Sequence, residues 1–434
     1  MEKFTETLQR AGVWCSKNKY LSSISSAFQN FMPFVIIGAI GVLWSNVIVN
    51  SSTGLGALWS PIMALSFLNP AFDALNFATI GCITLGVTIL LGQEIGAKNE
   101  IGSAFAGILA ISCLIVVVPS STAAFTEAGE ATAIAGLSSD ILGSTCMFTG
   151  MLAAILSVEL FTALFKIDAL KLKMPDQVPS GVARSFEYLI PGFIVMAIFA
   201  VGGRLVNMAT GLYINQIIYN LVQTPLQGVG ASLPGLLIFE IVALLFWCVG
   251  LHGDNMIGGV FTPIMTALSV ENMNAVAAGQ PAPYIVNFSF ARIVYATGGT
   301  GLCIGLTIAI LLFAKREDNR TIAKLAIIPN MFNIMEVNMF GLPMVLNPIL
   351  LVPFIIAPIV CTIVAYLLTV IGIMPVIYLN LPWTMPPFLY AFLGAGGNFM
   401  AGLIHLGLIA LAVVIYAPFV MAYERQQNAM MEEE

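Results

Sequence analysis

Charge is scarce in this sequence. Only 9% of the 434 residues are Asp, Glu, Lys or Arg, whereas 59% are hydrophobic, and histidine occurs only twice. So few ionic groups cannot cover a soluble domain of this size, and apolar runs of about 20 residues, long enough to span a bilayer, recur along the chain. The sequence therefore predicts an all-α integral membrane protein.

Several kinds of site are also missing. The seven cysteines are scattered without a CxxC pair, so the sequence predicts no metal site, no redox site and no cofactor. There is no basic stripe of the kind that binds nucleic acid. No small-residue cleavage site follows the N-terminal cations, so we expect no removable signal and the first span stays in the membrane.

The placement of Lys and Arg predicts the topology. They cluster before residue 27, near 98, at 166–184, at 315–324 and at 425, and such clusters lie on the cytoplasmic side. Nine spans follow directly from the apolar runs, at 27–49, 75–96, 101–119, 141–165, 184–207, 232–251, 287–314, 347–372 and 400–423. For 315–324 to be cytoplasmic, a tenth span must cross at 254–275 although Pro263 weakens it as a helix. Ten transmembrane helices then leave both termini in the cytoplasm.

Four segments do not fit plain transmembrane helices. Residues 325–346 and 376–398 are broken by proline and glycine, and the same topology makes them re-entrant hairpins. Residues 2–20 and 210–224 show an apolar and a polar side, which is typical of helices lying in the membrane interface. The loops 50–74 and 120–140 carry no cation and are expected outside.

The chain is predicted to contain two domains. Residues 1–225 hold five spans with little intramembrane polarity, and we predict a scaffold and dimerisation domain there. Residues 226–434 hold five spans, both hairpins and all the candidate site residues, which predicts a substrate-binding domain. Glu240, in the outer half of the sixth span, is the expected ion-pair partner of either Arg204 or Arg292.

Two side chains carry the predicted chemistry. Glu336 lies in NIMEVNMFGLPMVLNP and His252 in FWCVGLHGDN, and the topology brings both toward one depth from the cytoplasmic side. A carboxylate and an imidazole beside broken backbone can bind sugar hydroxyls, or act as proton acceptor and donor in phosphoryl transfer. Glu336 and His252 are therefore the predicted catalytic pair, and His405 is interpreted as a packing residue.

Six further residues are predicted to bind substrate. Trp247 and Trp383 can stack on sugar rings, or they can anchor the chain at the interface. Asn255, Asn333 and Asn338 can bind hydroxyls, or they can satisfy freed backbone groups. Gly253 completes the set at the turn after His252. The glycine cluster GGTG at 298–301 follows no strand, so it is interpreted as helix packing and not as a phosphate loop.

The chain resembles the membrane subunit, enzyme IIC, of the lactose and cellobiose branch of the bacterial sugar phosphotransferase system, nearest its diacetylchitobiose transporters. The residues that carry the resemblance are MPDQVPSGVARSFEYLIPG at 174–192, FWCVGLHGDN at 246–255 and NIMEVNMFGLPMVLNP at 333–348. The family often has proline after the glutamate of the third motif, where this chain has Val337. That departure concerns the local turn and leaves the carboxylate intact.

The resemblance implies group translocation across the bacterial cytoplasmic membrane. A disaccharide such as diacetylchitobiose or cellobiose is held in the C-terminal half, and a phosphocysteine on a separate cytoplasmic IIB protein phosphorylates its 6-hydroxyl. The chain itself acts as an enzyme only together with that IIB protein. The resemblance further implies a homodimer through the N-terminal half, and 166–184 and 315–324 are candidate docking surfaces for IIB.

Two other functions remain open on the residues alone. In an ion-coupled secondary sugar transporter Glu336 would bind a proton and no phosphate would be involved. A membrane transferase that modifies a lipid would need a lateral opening. The fate of the sugar and of the phosphate distinguishes the three.

Overall fold

The structure, a computed structural model, describes residues 2–51, 55–56, 59–125, 131–175 and 177–432; the side chains of 2–5, 123–125, 131 and 430–432 are not described. The α-helices are α1 (Glu2–Lys17), α2 (Lys19–Leu43), α3 (Asn69–Thr79), α4 (Ile83–Lys98), α5 (Ser103–Val117), α6 (Ser139–Leu142), α7 (Met147–Phe165), α8 (Ser180–Thr210), α9 (Ile214–Ile218), α10 (Thr224–Gly230), α11 (Leu233–Cys248), α12 (Gly253–Ala277), α13 (Phe288–Tyr295), α14 (Cys303–Phe313), α15 (Glu317–Met331), α16 (Glu336–Gly341), α17 (Pro348–Val370), α18 (Leu389–Gly394) and α19 (Phe399–Glu432). Short 3-10 or π segments are Trp44–Ile48, Ser60–Leu68, Ile80–Cys82, Ser144–Cys146, Asp168–Leu170 and Tyr219–Gln223.

Long apolar helices confirm the predicted all-α membrane fold. Within the described ranges, six stretches are long and apolar enough to cross a bilayer: Lys19–Ile48, Ser60–Lys98, Ser144–Phe165, Ser180–Thr210, Pro348–Val370 and Phe399–Ala429. Ile214–Gly230 and Leu233–Cys248 meet at a 78° bend and make a seventh if they count as one span. The other predicted spans fall on α5, on α12 and on the pair α13 and α14.

The tenth span, inferred only from the parity of the cation clusters, forms one continuous helix. α12 runs through Pro263, and most of its residues between Ile257 and Met273 are buried. Proline removes one backbone hydrogen bond, but packing on most sides supplies the stability that helix propensity does not. α12 is not among the six helices that are long and apolar enough to cross a bilayer, so its crossing of the membrane stays a prediction.

The predicted span 287–314 is wrong as a single helix. α13 ends at Tyr295 and α14 begins at Cys303. Between them Gly298, Gly299 and Gly301 have φ of 74°, 94° and 84°, a left-handed backbone that a side chain would strain. We call residues 296–302 the glycine turn. These glycines allow the helix to break and also allow close packing around the turn.

Two predicted loops contain regular structure. In 50–74 a 3-10 helix spans Ser60–Leu68, and α3 begins at Asn69; residues 52–54 and 57–58 lie outside the described part. In 120–140 the strands β1 (Ser121–Phe125) and β2 (Ala131–Ala135) pair antiparallel, with Ser121 opposite Ala135. Residues 126–130 between the strands are not described. The sequence prediction relied on the absence of cations, which reports topology and not local structure.

The two segments predicted to be re-entrant are broken, as their proline and glycine content predicts, and their return to the same side of the membrane stays a prediction. The first consists of α15 and the short α16, joined by a turn at 332–335. The second runs without regular structure from 375 to 388 before α18. Asn287 and Ser289 hold this second segment. The Asn287 amide donates to the Ile377 carbonyl oxygen at 2.8 Å, and the Ser289 hydroxyl donates to the Leu379 carbonyl oxygen at 2.9 Å.

The predicted interface segments are helical. Residues 210–224 contain α9, opened by a capping box between Tyr213 and Gln216. In α1, Gly12 lies so close to the loop after α11 that an added Cβ would come within 2.3 Å of Leu251 Cδ1. α1 therefore packs beside the residue that precedes His252. Met1 and residues 433–434 lie outside the described residues. The cytoplasmic location of both termini stays a prediction.

The predicted ion pair of Glu240 is wrong. Glu240 is fully buried in α11, and its Oε1 accepts a hydrogen bond from the Thr362 hydroxyl at 2.8 Å. Arg204 donates instead to Asn207 at 3.0 Å, and the Arg292 guanidinium lies 5.2 Å from the Phe288 ring centroid. A neighbouring hydroxyl satisfies one carboxyl oxygen without bringing an arginine into the apolar interior.

The chain forms two compact units. One consists of Met1–Lys17, Ile36–Asn76 and Gln227–Glu434, and the other of Asn18–Val35 and Phe77–Leu226. The first unit contains every predicted site residue. It also contains two N-terminal segments in addition to the predicted C-terminal domain, because α1 packs on α11 and α12. The dimerisation and substrate-binding roles of the domains stay predictions.

Candidate functional site

His252 lies at the N-terminus of α12. Its Nδ1 accepts a hydrogen bond from the backbone N–H of Asn255 at 3.4 Å, so the imidazole acts as the N-cap of the helix. The ring also contacts Trp247, with centroids 4.5 Å apart. Because Nδ1 accepts, the remaining ring nitrogen Nε2 carries the proton in the neutral imidazole. His252 and Asn255 are both exposed, so this donor is accessible to a substrate.

Gly253 allows α11 and α12 to approach each other closely. A Cβ on this residue would come within 1.9 Å of the Ala243 carbonyl oxygen. The residue is buried, so the structure gives it a backbone role at the start of α12. Its predicted contact with substrate stays a prediction.

Asp254 is the residue at this site that sequence reasoning missed. Its carboxylate accepts three hydrogen bonds: from Trp247 Nε1 at 3.1 Å, from the Tyr295 hydroxyl at 2.7 Å and from the Thr300 hydroxyl at 2.6 Å. Arg292 adds a favourable electrostatic interaction. Asp254 therefore fixes the indole of Trp247, which is only 3% exposed. The sequence signal that could have identified Asp254 is an acidic residue two positions after His252, at the start of a polar helix.

The glycine turn joins the two predicted catalytic segments. Thr300 bonds Asp254 on α12, and the backbone N–H of Gly298 donates to Asn333 Oδ1 at 2.8 Å. Gly299 lies against Met335, because an added Cβ would come within 2.3 Å of the Met335 Cβ. One turn thus contacts the segment of His252 on one side and the segment of Glu336 on the other.

Glu336 is exposed at the start of α16. It follows Met335 directly, which is 2% exposed and whose Sδ lies 3.7 Å from Cys303 Sγ. The buried methionine fixes the backbone, and the next side chain faces outward. A carboxylate in the first turn of a helix also interacts favourably with the helix N-terminus. Val337, where the resembling family often has proline, lies inside α16.

Asn333 organises the backbone around the site. It adopts a left-handed φ of 63°, and its amide donates to the carbonyl oxygens of Trp383 at 2.5 Å and Met385 at 3.2 Å. Its Oδ1 accepts from Gly298. The side chain therefore connects both re-entrant segments with the glycine turn, which favours the alternative that it satisfies broken backbone. A sugar contact by Asn333 stays a prediction.

Asn338 is fully buried on the inner side of α16. Its amide donates to the Thr307 hydroxyl at 2.6 Å, and its Oδ1 accepts from the Asn330 amide at 2.9 Å. Asn330 also donates to the Gly298 carbonyl oxygen at 2.9 Å. These bonds tie α14, α15 and α16 together, so the structural alternative has direct support here.

Trp383 lies in the irregular stretch of the second re-entrant segment and is 47% exposed. Its carbonyl oxygen, not its indole, is held by Asn333. The ring is therefore available for stacking while its backbone is fixed. Trp247, by contrast, presents only a small part of its ring because Asp254 and His252 cover it.

The arrangement provides an exposed carboxylate, an exposed imidazole and an exposed indole on segments that one turn holds together. These are a proton acceptor, a donor and a ring platform, which suit a polyhydroxylated ligand. Within the described ranges, no group of three or more His, Cys, Asp or Glu side chains could hold a metal ion.

Comparison with known proteins identifies the family. The family described as "Phosphotransferase system, EIIC" matches residues 25–358. The chain belongs to this family. The resemblance inferred from the three motifs is therefore confirmed.

This EIIC chain is similar to characterised members over nearly its full length. It is 32% identical to the PTS system oligo-beta-mannoside-specific EIIC component of Bacillus subtilis (strain 168), covering 100% of this chain and 96% of that protein. It is 27% identical to the PTS system cellobiose-specific EIIC component of Geobacillus stearothermophilus, covering 95% and 92%. The crystal structure of the transporter ChbC, the IIC component from the N,N'-diacetylchitobiose-specific phosphotransferase system, matches with a TM-score of 0.89 and 31% identity over 96% of both chains.

Proposed function

We propose that this EIIC chain is the permease subunit that translocates a β-linked disaccharide such as diacetylchitobiose or cellobiose. It presents the sugar's 6-hydroxyl to a separate phosphocysteine IIB protein. The observation that carries the proposal is the juxtaposition of the Glu336 and His252 segments by the glycine turn in a chain of this family. The names of three similar proteins, which refer to oligo-beta-mannosides, cellobiose and diacetylchitobiose, support a β-linked sugar.

The transfer step balances with the groups present. The S–P bond of phosphocysteine breaks, an O–P bond forms on the sugar 6-oxygen, and the thiolate leaves on IIB. The hydroxyl proton passes to Glu336, and the neutral imidazole of His252 can donate its Nε2–H to a substrate oxygen. Trp383 is the proposed stacking platform. Asn255, exposed beside His252, is the proposed hydroxyl partner.

The proposed docking surface for IIB is the cation-rich segment 315–324, with 166–184 as a second candidate. The cations of the first are partly paired. Arg316 contacts Asp318 at 2.6 Å, and this hydrogen bond holds the pKa of the Asp318 carboxyl below its usual value. Lys324 contacts Glu317 at 2.8 Å. A phosphorylated partner would have to compete with these exposed acids, which favours a weak and reversible contact.

We also propose a homodimer and a cytoplasmic location of both termini. α8 supports the first, because only 17% of its most apolar stretch is buried, the least among the six long apolar helices of the described ranges. Such a face needs lipid or a second copy. Light scattering of the purified protein in detergent decides between one copy and two. Reporter fusions at each end test the orientation.

Vesicle uptake tests the function. Proteoliposomes are given labelled diacetylchitobiose or cellobiose outside and phosphorylated IIB inside. We expect sugar 6-phosphate in the lumen only when the phosphodonor is present. Free sugar that accumulates with a pH gradient and no donor would establish an ion-coupled transporter instead. Label recovered in the lipid fraction would establish a lipid-modifying transferase.

A further inference from the structure

Two residues of α19 form hydrogen bonds with the two ends of the glycine turn. His405 Nε2 lies 2.7 Å from the hydroxyl of Thr297, just before the three glycines. The Tyr416 hydroxyl donates to the carbonyl oxygen of Gly301 at 2.6 Å, at the other end of the turn. His405 is 1% exposed and Tyr416 is fully buried. Neither residue belongs to the site described above.

The Thr297 hydroxyl connects the imidazole of His405 with the backbone of the preceding helix. The Thr297 hydroxyl has one hydrogen, and the Ile293 carbonyl oxygen, which can only accept, lies 3.1 Å away. The hydroxyl either donates to Ile293 and accepts from His405 or donates to His405 Nε2, so the direction of the Thr297–His405 bond depends on the tautomer of the ring. The Nδ1 atom of His405 is buried and has no hydrogen-bond partner. Nε2 therefore makes the one hydrogen bond found for the ring, and this bond is directed at the turn.

The turn needs such anchors because glycine permits many backbone conformations. Three glycines and Leu302, with φ of 55°, all adopt left-handed backbone within a few residues. The internal hydrogen bonds join Gly299 to Ala296 at 3.1 Å and Gly301 to Tyr295 at 2.9 Å. His405 and Tyr416 add two contacts from one long helix, α19. They reduce the freedom that the glycines introduce.

The middle of the glycine turn contacts the segments that carry His252 and Glu336. Thr300 contacts Asp254, Gly298 contacts Asn333, and Gly299 contacts Met335. Each of these partners lies within three residues of His252 or Glu336. A shift of the turn would therefore move the imidazole segment and the carboxylate segment relative to each other.

We propose that His405 and Tyr416 are positioning residues that set the geometry between His252 and Glu336 by fixing the glycine turn. The proposal rests on the proposed function for its effect on sugar. Its structural part is independent of the ligand. Neither residue touches the substrate in this scheme, so each acts through Thr297 or Gly301.

The test compares variants that remove and retain the anchoring bonds. His405→Leu removes the ring nitrogen that bonds Thr297, whereas His405→Gln retains an amide, which can donate or accept, near the position of Nε2. Tyr416→Phe removes only a hydroxyl, so it remains informative if His405→Leu does not fold. The matched control is Cys361→Ala, because Cys361 Sγ contacts the Leu408 carbonyl oxygen of the same helix at 3.4 Å and does not touch the turn.

The first measurement is hydrogen–deuterium exchange of the full chain in nanodiscs without sugar. For His405→Leu and Tyr416→Phe we expect faster exchange in 296–302 and also in 252–257 and 333–338. His405→Gln and Cys361→Ala should match the wild type in all three segments. Faster exchange confined to α19, or the same pattern in Cys361→Ala, would overturn the proposal.

The second measurement is equilibrium binding of diacetylchitobiose and cellobiose. We expect His405→Leu and Tyr416→Phe to bind about tenfold more weakly, the effect of one lost buried hydrogen bond, and His405→Gln to restore binding. Failure of Gln to restore it would count against positioning. If the wild-type protein binds neither sugar, the proposed function fails, and the exchange result alone still decides the role of the anchors.

Discussion

Thr300 donates its hydroxyl hydrogen to Asp254 at 2.6 Å across 46 residues of sequence. Asp254 in turn fixes the indole of Trp247, on which the His252 ring lies. This one bond makes the glycine turn part of the candidate site. The turn interrupts an otherwise apolar span, and this interruption allows Thr300 to reach Asp254 at the N-terminus of α12.

Replacing Thr300 by valine should lower stability and sugar affinity, although valine has nearly the same volume as threonine. Thr300 is 5% exposed and Asp254 is half-buried, so Thr300→Val leaves the Asp254 carboxylate with one donor fewer where water replaces it only in part. We expect a loss of about 1 kcal/mol in stability and weaker sugar binding. Thr300→Ser keeps the hydroxyl and serves as the control. Equal binding by the valine and serine variants in a calorimetric titration would contradict the role of this bond.

Glu336 and His252 are expected to differ in their contributions. Glu336→Gln keeps the shape but removes the proton acceptor, so phosphorylation of the sugar should fall by roughly 10²-fold or more, with binding largely retained. His252→Ala should weaken binding or transfer to a smaller extent. Phosphorylation with purified, phosphorylated IIB measures both. Wild-type turnover in the glutamine variant would refute the central role of Glu336.

The helices that can cross a membrane could be predicted from the sequence because they depend on local composition. Apolar runs located the six long apolar helices of the described ranges, and the cation clusters predicted α12 as a helix despite Pro263. Proline and glycine indicated both irregular segments. The break at 296–302 was missed because an apolar run with glycines has the same hydropathy whether it forms one helix or two. The strands β1 and β2 were missed for a similar reason, since a loop without cations carries no signal for pairing.

The site could be predicted only in part, because its contacts join residues far apart in the chain. His252 and Glu336 stood out as rare ionisable groups, and the structure links their segments. Asp254 did not stand out, since an acid near the end of a span is usually interpreted as solvated. Its three partners come from α11, from α13 and from the glycine turn. No local pattern indicates such a convergence.

Gly299 should not tolerate alanine. Gly299→Ala adds a Cβ to a residue with φ of 94° and brings it within 2.3 Å of the Met335 Cβ, next to Glu336. The left-handed backbone alone costs about 1 kcal/mol. Gly279→Ala is the control, because Gly279 has φ of 72° but nothing within 4 Å of an added Cβ. We expect the first variant to melt well below the second in a thermal unfolding assay. Equal melting temperatures would show that the contact with Met335 relaxes at no cost.

Asn338 and Asn255 are expected to differ in role, because Asn338 stabilises the fold and Asn255 is proposed to bind the sugar. Asn338 is fully buried and bonded to Thr307 and Asn330, whereas Asn255 is exposed beside His252. Asn338→Ala leaves the Thr307 hydroxyl and the Asn330 amide with one partner fewer, so it should lower stability by about 1 to 3 kcal/mol with or without sugar. Asn255→Ala should leave the unfolding temperature unchanged and weaken disaccharide binding. The two variants are compared by thermal unfolding without ligand and by equilibrium binding. A stable Asn338→Ala variant that has lost sugar binding would instead place Asn338 among the residues that contact the substrate.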